Sequence, residues 1–257
     1  MFRTIKKHGN IVGALMLREM VTRYGREGIG FLWIAGEPLM FCFGVMLLWT
    51  LIKPEYEHGI RVAPFVMTGY MCILTFRHLV TLSVGALQAN IGLMHHRVVR
   101  PLHIFASRFL VEFGGGTMAF IIVYTVLLIL GKVSLPHDIL LLYSGWLLIF
   151  WVSCGFSLVI SSLAMRYEVL ERTLPVLMYT MIPLSGAFAM VAWIPDQYQW
   201  LYLLNPLPHT VEMVRAGVFG EFVETHYHPL YVVAWAAGLT VSGLLLLASA
   251  HKHLEIE

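Results

Sequence analysis

Six long apolar runs, each bounded by charged or turn-forming residues, constrain this chain more than any other feature. They fall at residues 31–52, 63–87, 104–130, 139–165, 173–190 and 230–250. A helix needs roughly 20 apolar residues to cross the hydrocarbon of a bilayer, and most of these runs are that long. They are continuous rather than alternating, which selects helices over a β-barrel. Composition agrees, since only 12% of the 257 residues are charged and 58% are hydrophobic. A soluble domain carries about twice that charge. The expected fold is an all-α membrane protein of six spans forming one domain.

The basic residues orient the spans. Arg3, Lys6, Lys7, Arg18, Arg23, Arg26, Arg97, Arg100, Arg108, Arg166, Arg172 and Lys252 collect on one side, and Lys53, Arg61, Lys132 and Arg215 on the other. Lys and Arg accumulate in cytoplasmic loops, so both termini and the 88–104 and 166–172 stretches are expected in the cytoplasm. Residues 1–30 carry no apolar core of a cleavable leader.

Between the runs lie shorter elements. In residues 11–26, Leu17, Met20, Val21 and Tyr24 follow the spacing of one apolar helical stripe, with Arg18, Thr22 and Arg26 on another face. Glu19 stands four residues before Arg23, so the two can pair. An amphipathic helix in the membrane interface is expected there. Residues 88–101 are too polar and too short to span. They gather His95, His96, Arg97 and Arg100, with Leu93, Met94, Val98 and Val99 as apolar surface, and can make about three helical turns before Pro101 stops them. This stretch reads either as a lever that takes a push from another protein or as a basic loop that only sets topology. Residues 191–228 hold Pro195, Pro206 and Pro208 among aromatic residues and are not apolar enough for a span. Short helices that dip into the outer leaflet or lie on it are expected, one over residues 210–219 and ended by Gly220.

Polar residues inside the runs are the candidate functional residues, because ionisable groups at membrane depth are costly and face protein or water. Glu37 precedes a helix-disturbing Pro38, Arg77 and His78 sit near the middle of the second run, and Tyr70 lies in the same run. Arg108 and Glu112 are spaced to neutralise each other, and Gly114, Gly115 and Gly116 allow close helix contact. Cys42, Cys72 and Cys154 lie in apolar runs without paired spacing and are expected as buried thiols. No phosphate-binding GxxxxGK[ST] occurs, and no metal-binding HExxH. His226 and His228 lack a third ligand. Ser153, Ser157, Ser161 and Ser162 fit helix packing better than nucleophilic catalysis. No catalytic, cofactor-binding or metal-binding residue is expected.

Three stretches in order resemble one family. They are Leu17-Arg18-Glu19-Met20 with Arg23-Tyr24 and Glu37-Pro38-Leu39; His96-Arg97-Val98-Val99-Arg100-Pro101-Leu102; and Ser185-Gly186-Ala187-Phe188 with Asn205-Pro206-Leu207 and Val211-Glu212-Met213-Val214-Arg215. The chain resembles the permease subunits of type-2 ABC exporters, most closely those that export capsular polysaccharide from Gram-negative bacteria. The resemblance implies an inner-membrane homodimer. Two copies of a separate ATPase chain would bind ATP and Mg, and a periplasmic adaptor and a lipid-linked anionic glycan would be further partners. It places ATPase coupling on Arg18, Arg23, Leu93, Met94, His96, Arg97, Arg100 and Pro101, and makes Glu37, Tyr70, Arg77 and His78 the candidate substrate path. O-antigen, teichoic acid or a small lipophilic molecule are alternative cargoes. An intramembrane transferase using His78 or Glu37 is the reading from another class. No nucleic-acid role is expected.

Overall fold

A computed structural model describes residues 2–24, 30–94, 98–220 and 223–254, and side chains for 6–22, 33–94, 98–220 and 223–250. The described elements are α1 (Phe2–Tyr24), α2 (Gly30–Ile52), β1 (Tyr56–Glu57), β2 (Ile60–Arg61), α3 (Val62–Ser83), α4 (Ile91–Met94), α5 (Pro101–Ile129), α6 (Ile139–Ala164), α7 (Glu168–Leu184), α8 (Asp196–Tyr202), α9 (Pro206–Phe219) and α10 (Pro229–Leu254). Single 3₁₀ turns occupy Gln88–Asn90 and Val191–Trp193.

Five helices are long and apolar enough to cross a membrane: α2, α3, α5, α6 and α10. The sixth expected span, α7, has 17 residues with Pro175 and Pro183 inside it, and is not among the five. It also begins at Glu168, so 166–172 is not a free link: Glu168 and Glu171 occupy the first turn of α7, where the helix dipole favours negative charge.

α3 is the hub. Most of its side chains are buried, and it packs against α2, α5, α6, α7 and α9. Glycines set the closest approaches. A methyl group at Gly145 or Gly217 would meet the backbone across the α6–α9 contact, and one at Gly155 or Gly243 would meet the backbone across the α6–α10 contact. Of the three consecutive glycines on α5, Gly114 faces open space, Gly116 faces Thr75 and Gly115 lies against Ile34. Pro38 supplies no N–H to the Ile34 carbonyl, whose oxygen would lie 3.0 Å from a methyl group at Gly115.

The connections depart from expectation in three places. The polar loop after α2 is a two-stranded hairpin, with His58 and Gly59 at positive φ as the tight turn requires. Lys132 bonds Glu55 at 2.6 Å and holds its carboxyl below the usual carboxylate range; Arg61 bonds the Gly131 carbonyl, so the hairpin is tied to the α5–α6 turn. Pro101 starts a helix rather than ending one. Arg100 is the extended N-cap of α5, and Pro101 takes the first helical position, where its missing N–H costs nothing. The described helical part of the 88–101 stretch is then a 3₁₀ turn and the single turn α4, while residues 95–97 lie outside the described residues. Third, α9 begins at Pro206, capped by Asn205, and ends at Gly220 as expected, but it is buried within the protein along its length rather than lying on a surface.

Connectivity gives two faces. The hairpin, the α5–α6 turn and α9 share one, here termed the hairpin face, since Asp138 N–H bonds Gly217 and His58 stacks on Trp193. On the opposite face Arg18 of α1 reaches Asn90, and Arg166, just after α6, reaches Ser249 near the end of α10. Both terminal helices therefore meet the same face.

Candidate functional site: an aromatic and charged cleft

Two helical faces converge to make the site. On α3, Tyr70, Leu74, Arg77, His78 and Thr81 recur at the spacing of one helical stripe, and Trp33, Glu37 and Phe41 do so on α2. With Glu112 of α5 and Tyr179 of α7 they line a cleft of about 530 Å³. All four residues expected along the substrate path, Glu37, Tyr70, Arg77 and His78, lie in it. α2 and α3 run antiparallel, so one end of the cleft is at Trp33 and Thr81 and the other at Phe41 and Tyr70. Eight residues of α2, about 12 Å, and eleven of α3, about 16 Å, separate the ends.

Its electrostatics are mixed. Arg77 lies 4.8 Å over the Tyr179 ring, which orients the guanidinium. His78 Nδ1 is 3.8 Å from Glu112 Oε2. Glu112 therefore has a partner on α3 and is not simply the neutraliser of Arg108, whose Nε is 3.0 Å from Glu19 Oε1. Trp33, Phe41 and Tyr179 are 51%, 52% and 62% exposed, so the cleft is open along one side and presents flat aromatic faces there. Such a surface can stack on the C–H faces of sugar rings while charged heads bond hydroxyl and carboxylate groups.

A second group was missed in the sequence. Arg215 of α9 is fully buried; its Nη1 donates to the carbonyls of Gly186 (2.8 Å) and Ala189 (3.2 Å) and its Nη2 to that of Ala187 (2.7 Å). Its guanidinium lies 4.0 Å over Phe65 and 3.8 Å from Glu212. Glu212 in turn accepts from the His226 N–H, and His228 N–H donates to His209 Nδ1. The residues Glu212 and Arg215 stand three apart in a helix that the sequence reading began four residues too late, and Arg215 had been counted as a surface charge.

The coupling residues expected from the sequence spread over a latch of α1, the end of α3 and α5. Arg18 Nη1 donates to Asn90 Oδ1 at 2.7 Å, Asn90 Nδ2 donates to the Ala86 carbonyl, Arg108 forms an ion pair with Glu19 and donates to the Leu82 carbonyl, and the ring nitrogens of His8 and His103 meet at 2.8 Å. Met94 and Val99 pack with Leu15 of α1 against a cluster that includes Leu87 and Phe105. Leu93 is half-buried, and Arg100 is exposed as the α5 cap. His96, Arg97 and the Arg23 side chain lie outside the described residues. Asn90, His8 and His103 carried no signal in the sequence, because one polar residue in a short turn looks like any other.

The sequence model of the ABC-2 type transporter family matches residues 11–219. The chain is 36% identical over 245 residues to the capsule polysaccharide export inner-membrane protein CtrC of Neisseria meningitidis serogroup B, covering 95% of this chain and 92% of that one. It is 33% identical over 247 residues to the capsule polysaccharide export inner-membrane protein BexB of Haemophilus influenzae, covering 96% and 93%. It is 29% identical over 240 residues to the polysialic acid transport protein KpsM of Escherichia coli, covering 91% of each.

Proposed function

Because the chain belongs to the ABC-2 type transporter family, we propose that it is the membrane-spanning subunit of an ATP-driven exporter that moves a lipid-linked capsular polysaccharide across the bacterial inner membrane. The observation that carries this reading to particular residues is the cleft, where Glu37, Tyr70, Arg77 and His78 converge with three exposed aromatic rings. Likeness over nearly the whole chain to proteins named for capsule polysaccharide export supports the cargo.

The finer assignments follow from the same reading. α7 leaves the face where both terminal helices meet, and the loop after it is held by Arg215 near the hairpin face. Its 17 residues rise about 25 Å, close to a thin crossing, so counting it as the sixth span agrees with both termini on one side. The distribution of basic residues makes that side cytoplasmic. Arg215, fully buried, leaves the tally of outer surface charges and strengthens the asymmetry. ATP and Mg belong on a separate chain, two copies of which would act on the face that carries the α1 latch and the 88–101 stretch. A second copy of this chain would close the open side of the cleft, and a periplasmic adaptor would meet the hairpin face.

The test is made in a capsulated host, with the ATPase chain co-expressed. Arg77→Ala and Tyr70→Ala should each lower surface glycan about tenfold, the change expected when a contact worth about 1.4 kcal/mol along the path is lost. Membrane level and ATPase co-purification should be normal, and crosslinking should give two copies per complex. Full export from both variants together would remove the cleft from the path. Glycan transfer by the purified single chain, lost on His78→Ala, would favour the transferase instead.

A further inference from the structure

The cleft ends at Tyr70, and one ring stands beyond it toward the hairpin face. Phe188, in the loop after α7, stacks on Trp49 of α2 at 5.0 Å between centroids and lies 6.2 Å from Tyr70 of α3. The loop that presents it has no regular structure. Its carbonyls are held by Arg215, which bonds Gly186 and Ala187 on one side of Phe188 and Ala189 on the other. One guanidinium thus brackets the residue that carries the ring. Gly69 of α3 makes room for this arrangement, since a methyl group there would come within 2.0 Å of the Ala187 carbonyl oxygen and 2.6 Å of Arg215 Nη2. Gly186, at φ 80°, permits the turn against Pro208.

We infer that Trp49, Phe188 and Tyr70 form the constriction that separates the cleft from the outer side, and that Arg215 is the positioning residue that keeps Phe188 in it. The inference rests on reading the cleft as the glycan path with the hairpin face outside. A buried Arg is suited to the task because its rigid fork reaches several carbonyls at once, which a lysine cannot do. Glu212 holds the counter-charge within the same helix. Moving the backbone that carries Phe188 requires the three carbonyl bonds to yield, so the ring is held at a fixed point of the loop.

The experiment uses the assembled complex in membrane vesicles of both orientations, without ATP. Cys42, Cys72 and Cys154 are replaced by alanine, and Leu74→Cys places a thiol in the cleft. A membrane-impermeant maleimide should label it from the cytoplasmic side and not from the outer side. With Phe188→Ala, outer-side labelling should rise about tenfold, which corresponds to about 1.4 kcal/mol lost from the closed arrangement. Arg215→Lys should produce a smaller rise, and Glu212→Gln with Arg215→Met, which removes both charges, a rise equal to that of Phe188→Ala. A thiol introduced by Leu135→Cys in the α5–α6 turn should label equally in every variant. Outer-side labelling at position 74 with Phe188 intact would overturn the constriction, as would no rise on Phe188→Ala. Equal gains at 74 and 135 would mean general loosening and overturn the positioning role. If labelling behaves as expected while cleft variants export normally, the constriction stands and only the glycan path is wrong.

Discussion

A methyl group at position 69 should be one of the most damaging single-atom additions this protein can receive. The Cβ of Gly69→Ala would point at the Ala187 carbonyl oxygen from 2.0 Å and at Arg215 Nη2 from 2.6 Å. Neither neighbour can swing aside cheaply, because one is backbone and the other is a fully buried guanidinium bonded to three carbonyls. Overpacking of an ordinary core costs about 1–3 kcal/mol, and this site joins it to broken bonds around a buried charge. The expected outcome is a loss of folded protein, read as a collapsed monodisperse peak in detergent. Gly114→Ala, on a helix face with open space, is the control and should be silent. Equal recovery of the two variants would show that the α3 to α7-loop contact is looser than described.

The second large effect is expected at the latch. Glu19 and Arg108 side chains are 13% and 11% exposed and 3.0 Å apart, joining α1 to α5. Breaking a buried ion pair by removing one partner is strongly destabilising, by about 3–5 kcal/mol, whereas removing both costs less than the sum. Glu19→Gln and Arg108→Gln should each weaken thermal stability of the purified complex and cut export, and the double variant should be no worse than Arg108→Gln alone. Strictly additive losses would make the pair incidental. The Leu82 carbonyl bond of Arg108 is lost in two of the three variants, so Glu19→Gln is the cleaner single change.

Legibility in the sequence followed the physics of each segment. α6 was readable to within a residue, since Ile139–Ala164 is uninterrupted and Asp138 caps it through the Leu141 N–H. Glu37, Tyr70, Arg77 and His78 were readable one by one, as polar groups stranded in apolar runs, whereas the exposed aromatics Trp33, Phe41 and Tyr179 look like any other apolar residue there. Their convergence came from the stripes on α2 and α3, which nothing in either run alone requires to face each other. α7 starts earlier than its apolar run because Glu168 and Glu171 suit the first turn of a helix, and it ends six residues earlier because an irregular but still apolar loop follows Pro183 and Leu184. Pro101 was taken as a stop because proline breaks helix interiors; the same ring is welcome at the first helical position, and only the extended Arg100 before it decides between the two. The Glu212–Arg215 pair was hidden by the assumption that charge means surface, which holds in most chains and fails where backbone carbonyls of an irregular loop need a donor.

That pair also bears on the order in which the molecule can be made. A lone α9 entering lipid during synthesis would carry both an acid and a guanidinium, at about 2.5–3.5 kcal/mol for a single Arg or Asp at the middle of the membrane. The carbonyls that satisfy Arg215 come from the segment after α7, and the space it fills is on α3. Both are synthesised earlier. α9 is therefore a late arrival that seats into a groove already prepared, and α10, packed along α6, closes behind it. A nascent chain arrested far enough beyond Gly220 for α9 to have left the ribosome should hold α9 outside that groove when α3 carries Gly69→Ala and seat it there otherwise, a biogenesis defect written in by one glycine.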